Sequence, residues 1–296
     1  MADQWPSIIS NNNVIKNIGR VIGIGNHSIV CMLNSQIIKI RPFNQQGITE
    51  YEKWNRITKL LKNQTTSFLP LLRTVSFVNE NDILLVSDTK RKHEVILSSQ
   101  TNEDTNSFVL LKKGKYIGFI SENSGKTVYQ IKELSYNDLL QVIFQLLWSL
   151  SIAEKSFGYS HGDIHSKNIL LKREPNILID MSHNRRYTFN LKATLIDFEL
   201  SSFECPDSTT DCIGIRNVIN YCSLFQQTLQ QKRLLSQFKR SLCSSKYSYS
   251  VCCLILLLIF KKKTRTNIFQ IRHCYNTQYS HQFIQYHLLY NLILQN

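Results

Sequence analysis

The sequence has no apolar segment directly after Met1, which is the position of a secretory signal peptide. Residues 1–13 read MADQWPSIISNNN and are mostly polar. The apolar stretch Val251–Phe260 has ten residues, whereas a membrane-spanning helix needs about 20. We therefore expect an intracellular protein without a transmembrane segment, in which Val251–Phe260 is buried or lies at an interface.

No C-x-x-C pair occurs among the eight cysteines, and seven of them lie from Cys205 onward. This distribution argues against a zinc site and against a disulfide framework. Buried, reduced thiols are the expected state of these residues.

Acidic residues are missing from the last part of the chain. Residues 212–296 contain 11 Lys and Arg and no Asp or Glu, whereas residues 1–211 contain 24 Lys and Arg and all 21 acidic residues. A folded lobe normally mixes both signs of charge on its surface. Three interpretations of this region stay open: a nucleic-acid or membrane-surface element, sequence from a shifted frame or an unspliced intron, or a divergent C-terminal lobe. We infer no direct readout of nucleic-acid sequence.

The segment Tyr159–Lys172, YSHGDIHSKNILLK, carries residue types that phosphoryl transfer requires. It places His161, Asp163 and Asn168 at the spacing H-x-D-x-x-x-x-N. This chemistry uses a carboxylate that orients the attacking hydroxyl and accepts its proton, and an Asn that holds Mg²⁺. We predict that Asp163 is the catalytic base and that Asn168 is a metal ligand.

A second segment, Ala193–Ser202, follows about 25 residues later and reads ATLIDFELSS. Its Asp197 comes directly after an apolar pair and before Phe198. A second Asp at such a place completes the ligands for Mg²⁺ on the phosphates. Asp197 is therefore the second predicted metal ligand, and Phe198 is expected to pack beneath a helix of the N-terminal lobe.

At these residues the chain resembles a known family. The run Ser149–Lys172, SLSIAEKSFGYSHGDIHSKNILLK, resembles the helix and catalytic loop of protein kinases, and most closely those of the haspin family, where S-L-x-x-A-E-x-S leads into H-x-D-x-H-x-x-N. TLIDFELSS is similar to the haspin metal-binding segment, in which the usual Gly after Asp-Phe is replaced. The resemblance covers roughly residues 135–202, and we expect no match beyond residue 211.

The resemblance implies an α+β, bilobal protein-kinase-like fold that uses ATP and Mg²⁺. It also implies a nuclear location, with the cytoplasm as the alternative. Gly162 stands where most kinases have an Arg that pairs with a phosphorylated loop, so activity without that switch is expected. Glu199 replaces the usual Gly, which predicts less flipping of this segment and a carboxylate beside the metals.

The N-terminal region fits the generic kinase pattern. Val21–Ile40 reads as a hairpin around Asn34–Ser35. Small residues in the first part of this segment, between Val21 and Val30, would let backbone N–H groups approach nucleotide phosphates. Lys39, in the second strand, would bind the α- and β-phosphates. The predicted phosphate-loop residues, at the places of G-x-G-x-x-G-x-V, are Gly23, Gly25, Ser28 and Val30.

The segment Ile48–Leu61 has the spacing of an amphipathic helix. Glu50 lies on the same stripe as Trp54 and Ile57, so we predict that it forms an ion pair with Lys39, with Glu52 as the alternative partner. We also predict that Leu111–Gly114 is the interlobe hinge, where Leu111 and Gly114 would line the adenine pocket with backbone groups.

Tyr136–Ser156 is too apolar for a single stripe and predicts a buried helix, begun by Ser135 or Asn137 and ended by Gly158. Asp211 could start the helix that supports the catalytic loop.

With 296 residues, 43% of them hydrophobic, the chain can bury a core. We divide it into an N-terminal tail (1–15), an N-lobe (16–113), a C-lobe core (114–211) and a basic region of uncertain fold (212–296), so the C-lobe could be incomplete.

Three functions stay open. The first is a serine/threonine protein kinase resembling haspin, for which the family's substrate, a Thr near the start of a histone tail, is implied by resemblance alone. The second is a small-molecule phosphotransferase, favoured by H-G-D in place of H-R-D and by the short segment after Asp197. The third is a nucleotide-binding pseudokinase or truncated product, favoured by the tail, but the intact set Lys39, Asp163, Asn168 and Asp197 argues against it.

Overall fold

The structure is a computed structural model, and it describes residues 17–25, 27–62, 64–87, 107–131, 134–180, 185–203, 208–222 and 228–242. Two compact units divide the chain. The first comprises Met1–Lys62, Phe68–Gly125 and Asp197–Glu199, and the second comprises Asn63–Ser67, Lys126–Ile196 and Leu200–Asn296. The predicted tail 1–15 and the apolar stretch Val251–Phe260 lie outside the described residues.

The first unit is built on a seven-stranded sheet with the order β4-β7-β3-β2-β1-β5-β6. Alternating β-branched and polar residues bury one set of side chains in a core around Val21, Ile38 and Phe77. The predicted hairpin is present, since Asn34 takes a positive φ of 55° between two antiparallel strands. The strands are β1 (Ile18–Ile24), β2 (Ile29–Leu33), β3 (Gln36–Pro42), β4 (Leu71–Asn79), β5 (Ile83–Ser87), β6 (Ser107–Leu111) and β7 (Gly114–Glu122).

One helix of the first unit, α1 (Gln45–Leu61), follows β3 directly. It begins three residues before the predicted start because the side chain of Asn44 accepts a hydrogen bond from the Gly47 amide at 3.0 Å. Its buried face contains Glu50, Trp54, Ile57 and Leu61. This is the stripe that the sequence predicted, and it brings a carboxylate to the buried side of the helix.

The predicted boundary after residue 113 and the predicted hinge were wrong. Strand β7 (Gly114–Glu122) pairs with β3 and β4, so it belongs to the sheet of the first unit. Leu111 is buried at the end of β6, and Gly114 begins β7, so neither residue lies where the chain leaves the first unit. That crossing comes after Gly125. The error arose because a short polar turn between two sheet strands looks the same in sequence as a short interlobe connection.

The second unit is organised around the helix α2 (Tyr136–Phe157). Ser135 caps its start by accepting from the Asp138 amide at 3.1 Å, and Gly158 ends it in the left-handed region with φ 61°. Its apolar residues are buried on nearly every side, as predicted. The short strands around it form a three-stranded sheet of β8 (Lys126–Thr127), β9 (Ile169–Lys172) and β12 (Lys192–Leu195), and a hairpin of β10 (Asn176–Asp180) and β11 (Arg185–Phe189).

The described part of the acid-free region, residues 212–222 and 228–242, is folded into helices. Two helices, α3 (Ser208–Cys222) and α4 (Leu229–Leu242), bury apolar side chains that include Ile215, Ile219 and Phe238. A foreign sequence would not be expected to supply such a buried stripe at helical spacing. Within the described ranges, no helix has the length and apolar character to cross a membrane.

Three described cysteines, Cys31, Cys212 and Cys222, are buried thiols. Burial raises the pKa of Cys31 and of Cys222 to about 12. These two thiols are therefore protonated at neutral pH.

Candidate functional site

Lys39 lies at the centre of a charged cluster in the first unit. Its place in β3, opposite Phe119 of β7, fixes the start of the side chain. The Nζ atom is 2.7 Å from Glu50 Oε1 and 2.9 Å from Asp197 Oδ1. The predicted ion pair with Glu50 is present, and the alternative partner Glu52 is exposed.

The charge of Lys39 is stabilised by its partners. Burial acts to lower the pKa of the ammonium group, but Glu50 and Asp197 outweigh that effect, and the pKa of Lys39 is raised above its ordinary value. The ammonium group therefore stays charged at neutral pH, which is the state needed to bind an anionic phosphate.

The segment Asp197–Glu199 is held by the first unit through both side chains and backbone. Phe198 packs against Trp54 and Phe68, with ring centroids 5.6 and 6.4 Å apart. This contact with α1 confirms the predicted place of Phe198. Asp197 has a positive φ of 69°, a conformation that Asp tolerates better than most residues. Because the left-handed residue is Asp197, position 199 does not need a glycine.

The Glu199 carboxylate lies beside Arg41, and its expected place beside the metals stays a prediction. It forms an ion pair with Arg41, whose Nη1 is 2.9 Å from Glu199 Oε2 and whose Nη2 is 3.3 Å from Oε1. Arg41 is 1% exposed and also binds Glu50 through Nη1. A buried guanidinium requires carboxylate partners, and this demand directs the Glu199 side chain.

The predicted phosphate-loop residues lie where β1 turns into β2. Gly23 pairs with Val30 across the two strands, and the Gly25 amide donates to the Ser28 carbonyl at 2.8 Å. A Cβ at Gly25 would stand 2.9 Å from Ser28 Oγ, a side-chain atom that can rotate away. Binding of phosphates by this turn stays a prediction.

The predicted catalytic loop, in Tyr159–Lys172, belongs to the second unit. The Asn168 amide nitrogen donates to the Asp163 carbonyl at 3.0 Å and to Asp163 Oδ2 at 2.9 Å. The two residues predicted to share one site therefore contact each other. Because the amide nitrogen faces Asp163, the amide oxygen of Asn168 is the atom suited to bind a cation.

Asp163 is kept ionised by its neighbours. A hydrogen bond from His165, whose Nε2 is 3.5 Å from Asp163 Oδ2, lowers the pKa of that carboxyl, and the charge of His165 and the Asn168 amide act in the same direction. Desolvation opposes these effects but does not cancel them. Asp163 is therefore a carboxylate at neutral pH.

Asp211 anchors the start of this loop from α3. Its Oδ2 accepts from the His161 amide and its Oδ1 from the Gly162 amide, both at 2.7 Å. The buried His161 ring donates from Nε2 to the Ile196 carbonyl at 3.1 Å, and its Nδ1 accepts from the Asp163 amide at 3.3 Å. One neutral tautomer satisfies both ring bonds, so the loop is tied to the strand end that precedes Asp197 in the chain.

Gly162 has a conformational reason to be glycine. Its φ is 77°, and a Cβ would lie 2.5 Å from the Leu200 carbonyl oxygen. The Arg found at this place in most kinases would not fit this backbone. The substitution therefore has a steric cause that spacing alone did not reveal.

The sequence interpretation missed three residues that shape these clusters. Arg41 is two positions after Lys39 on β3, so strand alternation could have placed it on the same face. Lys53 donates from Nζ to the Glu199 carbonyl at 2.6 Å. Gly214 lets α3 approach the loop, because a Cβ there would lie 2.3 Å from the Ile164 carbonyl oxygen. No sequence signal identified the last two.

The donor atoms fit a hard cation such as Mg²⁺. Asn168 and Asp197 offer amide and carboxylate oxygens, which Mg²⁺ prefers. Asn168 lies in the second unit and Asp197 in the first, so their action on one ion stays a prediction. In the portions of the chain that the structure covers, no cluster of three or more His, Cys, Asp or Glu could hold a metal.

Comparison with known proteins gives one long match. Residues 7–239 match the family described as "Haspin like kinase domain". The match continues past residue 211, where we predicted that it would end, and includes α3 and most of α4. The divergent-lobe interpretation is therefore correct for the acid-free region up to residue 239.

Two curated relatives share shorter stretches. "Probable kinase 098L" of Invertebrate iridescent virus 3 is 31% identical over 101 residues, 33% of this chain and 19% of that protein. "Serine/threonine-protein kinase haspin homolog" of Arabidopsis thaliana is 29% identical over 94 residues, 30% of this chain and 16% of that protein. The chain thus matches less than a fifth of either relative's length. A solved structure, the co-crystal structure of WbdD and kinase inhibitor LY294002, is similar with a TM-score of 0.44 and 11% identity, over 80% of this chain and 44% of that chain.

Proposed function

The chain belongs to the haspin-like kinase family, with the α+β kinase-like fold that the sequence predicted, and on that premise we propose that it is an ATP-dependent serine/threonine protein kinase. It transfers the γ-phosphate of ATP to a Ser or Thr hydroxyl of a protein substrate. ATP with Mg²⁺ supplies the activated phosphoryl group and the metal charge that neutralises it.

The observation that carries this proposal is the ion pair of Lys39 with Glu50, at 2.7 Å. In protein kinases a strand lysine paired with a helix glutamate must be in place before the phosphates can be positioned. An inactive relative that had lost the chemistry would have no need to keep Asp163, Asn168 and Asp197 in addition to this pair. The pseudokinase alternative is disfavoured for this reason.

Asp163 orients the substrate hydroxyl and accepts its proton as the oxygen attacks the γ-phosphorus and the bond to the ADP oxygen breaks. Its lowered pKa keeps it ionised and ready to accept a hydrogen bond from the hydroxyl. Lys39 holds phosphate oxygens, and Asn168 and Asp197 would hold Mg²⁺. Asn168 holds Asp163 directly and Asp211 holds the two preceding loop amides, which serves a reaction in which positioning provides most of the catalysis.

For the substrate we propose a Thr in a basic peptide of the histone-tail kind. Family membership and the printed name of the Arabidopsis relative support Ser/Thr specificity. The nucleus is the compartment that this substrate implies. A small-molecule phosphotransferase is the second candidate, favoured by the early start of α3 at Ser208, which leaves few residues after Glu199 for a protein-substrate platform.

The test uses radiolabelled ATP with the purified full-length chain. Substrates are a histone-tail peptide, the same peptide with its Thr replaced by Val, and small alcohols such as choline and an aminoglycoside. We expect label on the Thr peptide alone, with or without prior phosphatase treatment of the enzyme.

Asp163→Asn is the matched variant. It should lower kcat by about 10²- to 10⁴-fold while leaving ATP affinity nearly unchanged, because Asp163 orients the hydroxyl and does not hold the nucleotide. Label in the small alcohols alone would favour the second candidate. An Asp163→Asn enzyme as active as the native one would contradict the assigned role.

A further inference from the structure

Arg41 heads the fully buried side chains of the described residues by volume, and it is charged. Its guanidinium lies in a cluster of two cations and three carboxylates, formed by Lys39, Arg41, Glu50, Asp197 and Glu199. All five residues belong to the first unit. A buried arginine is costly unless its charge is compensated, so its presence next to the lysine cluster requires an explanation.

The five charges form two parallel pairs with Glu50 between them. Lys39 and Arg41 are two residues apart on β3 and therefore point to the same face. Lys39 binds Asp197, and Arg41 binds Glu199, which is likewise two residues further on. Glu50 gives Oε1 to Lys39 and Oε2 to Arg41.

Two points of attachment restrict a segment more than one. A single pair between Lys39 and Asp197 would let the segment Asp197–Glu199 rotate about that contact. The planar guanidinium of Arg41 meets both oxygens of Glu199, which fixes direction as well as distance. Lys53 adds a third contact from α1 to the Glu199 carbonyl.

We propose that Arg41 and Glu199 are positioning residues for phosphoryl transfer, which hold Asp197–Glu199 in the arrangement where Asp197 meets Lys39. The Arg41–Glu199 pair, with Glu50 shared between the two cations, makes the order of this segment a property of the folded chain and not of a modification. The effect on turnover rests on the proposed function, whereas the effect on segment order does not.

The proposal is tested on the full-length chain with Glu199→Gln, which removes the charge and keeps the shape. Glu199 is 38% exposed, so this variant is expected to fold. Arg41→Lys keeps a charge but loses the guanidinium fork, and Glu199→Asp keeps the carboxylate and should recover part of the loss. Arg173→Lys is the matched control, because Arg173 binds Asp138 through the same two-nitrogen geometry, at 3.0 and 2.7 Å, within the second unit.

Two readouts are measured for each variant. The first is amide hydrogen exchange of residues 195–203 by mass spectrometry, which needs no activity. The second is kcat and KM for the peptide, with the Mg²⁺ concentration for half-maximal rate. We expect Glu199→Gln to exchange about tenfold faster in this segment and to lose about tenfold in kcat, with the peptide KM unchanged. Arg173→Lys should leave both readouts as in the native chain.

Exchange in Glu199→Gln that equals that of Arg173→Lys would overturn the proposal, whatever happens to kcat. A raised Mg²⁺ requirement with unchanged exchange would overturn it too, and would make Glu199 a metal ligand instead. If the native chain labels no substrate, the proposed function fails, but the exchange measurement still decides whether Arg41 and Glu199 order the segment.

Discussion

The pKa of Asp163 is lowered most by a side chain two residues away. His165 belongs to the same loop and contacts Asp163 Oδ2, and this hydrogen bond is the largest influence that lowers the pKa of Asp163. The carboxylate is 37% exposed, so solvent screens part of the interaction. His165 therefore affects the protonation of Asp163 more than it affects the stability of the fold.

We predict that His165→Asn moves the acid limb of the kcat profile to higher pH. The native interaction depresses the folded-state pKa of Asp163, so the ionised form persists until the pH falls through that lowered value. Without His165 the pKa returns toward its ordinary range, and protonation inactivates the enzyme at a less acidic pH. Ionised Asp163 also contributes to the stability of the fold. This contribution is fully present above the unfolded-state pKa and is lost as the pH falls through the folded-state pKa.

The measurement is kcat against pH for the native chain, His165→Asn and Lys167→Gln. Lys167 is an exposed cation of the same loop, and its side chain lies over the Tyr129 ring at 5.3 Å. Lys167→Gln is the control for a general loss of positive charge. An acid limb that moves equally in both variants would contradict a specific role of His165.

At the scale of elements, α3 supports the catalytic loop through close backbone approach. Asp211 in its first turn accepts two loop amides, and Gly214, one turn later, lies against Ile164. The hydrogen bonds to Asp211 orient the loop, and the absence of a side chain at Gly214 lets the loop pack closely against the helix.

Gly214→Ala is predicted to destabilise the fold although it improves helix propensity. In an exposed helix position Gly→Ala stabilises by about 1 kcal/mol. Here the new Cβ would meet the Ile164 carbonyl at 2.3 Å, and overpacking of this kind costs about 1–3 kcal/mol. We expect a lower Tm and a lower kcat, since the loop that carries Asp163 must shift.

Asn217→Ala in the same helix is the control, because Asn217 is exposed and gains propensity without a clash. It should be neutral or more stable by a few tenths of a kcal/mol, by the same propensity scale. Thermal unfolding and kcat of both variants decide the matter. If Gly214→Ala were as stable as Asn217→Ala, the close approach of α3 to Ile164 would not limit which residue position 214 can hold.

For the molecule as a whole, the open matter was whether the acid-free region belongs to the fold. The acid-free composition after residue 211 suggested foreign sequence as one interpretation. The buried faces of α3 and α4 and the family match to residue 239 place the next stretch in the fold. Net charge proved a poor guide, because the apolar side chains that α3 and α4 bury contribute nothing to it.

We predict that a chain ending after Asp211 unfolds at a much lower temperature than a chain ending after Leu242. The shorter one loses Ile215, Ile219 and Phe238, all buried. Each contributes about 1.5–3 kcal/mol, and their sum approaches the roughly 5–15 kcal/mol that stabilises a whole domain. Thermal unfolding of both proteins beside the full-length chain measures this. Equal Tm values for the two shortened chains would show that α3 and α4 do not belong to the core.

The sequence by itself determined the elements and residues whose signal is local. Periodicity placed α1 and α2 to within a few residues, because a helix buries every third or fourth side chain. Motif spacing identified Asp163 and Asn168, since a short loop keeps residues five apart close together. The pairing of Lys39 with Glu50 followed from the place of Glu50 on the helical stripe of Trp54 and Ile57 and from the kinase pattern at Lys39.

Tertiary structure decided what depends on contacts between distant parts of the chain. The turn at residues 112–113 and the crossing after Gly125 look alike in sequence, and only strand pairing tells them apart. The direction of Glu199 was decided by Arg41, 158 positions away, and the need for glycine at 162 and 214 by carbonyl groups that come close only in the folded chain. Charge compensation and steric exclusion act through space, so no local pattern records them.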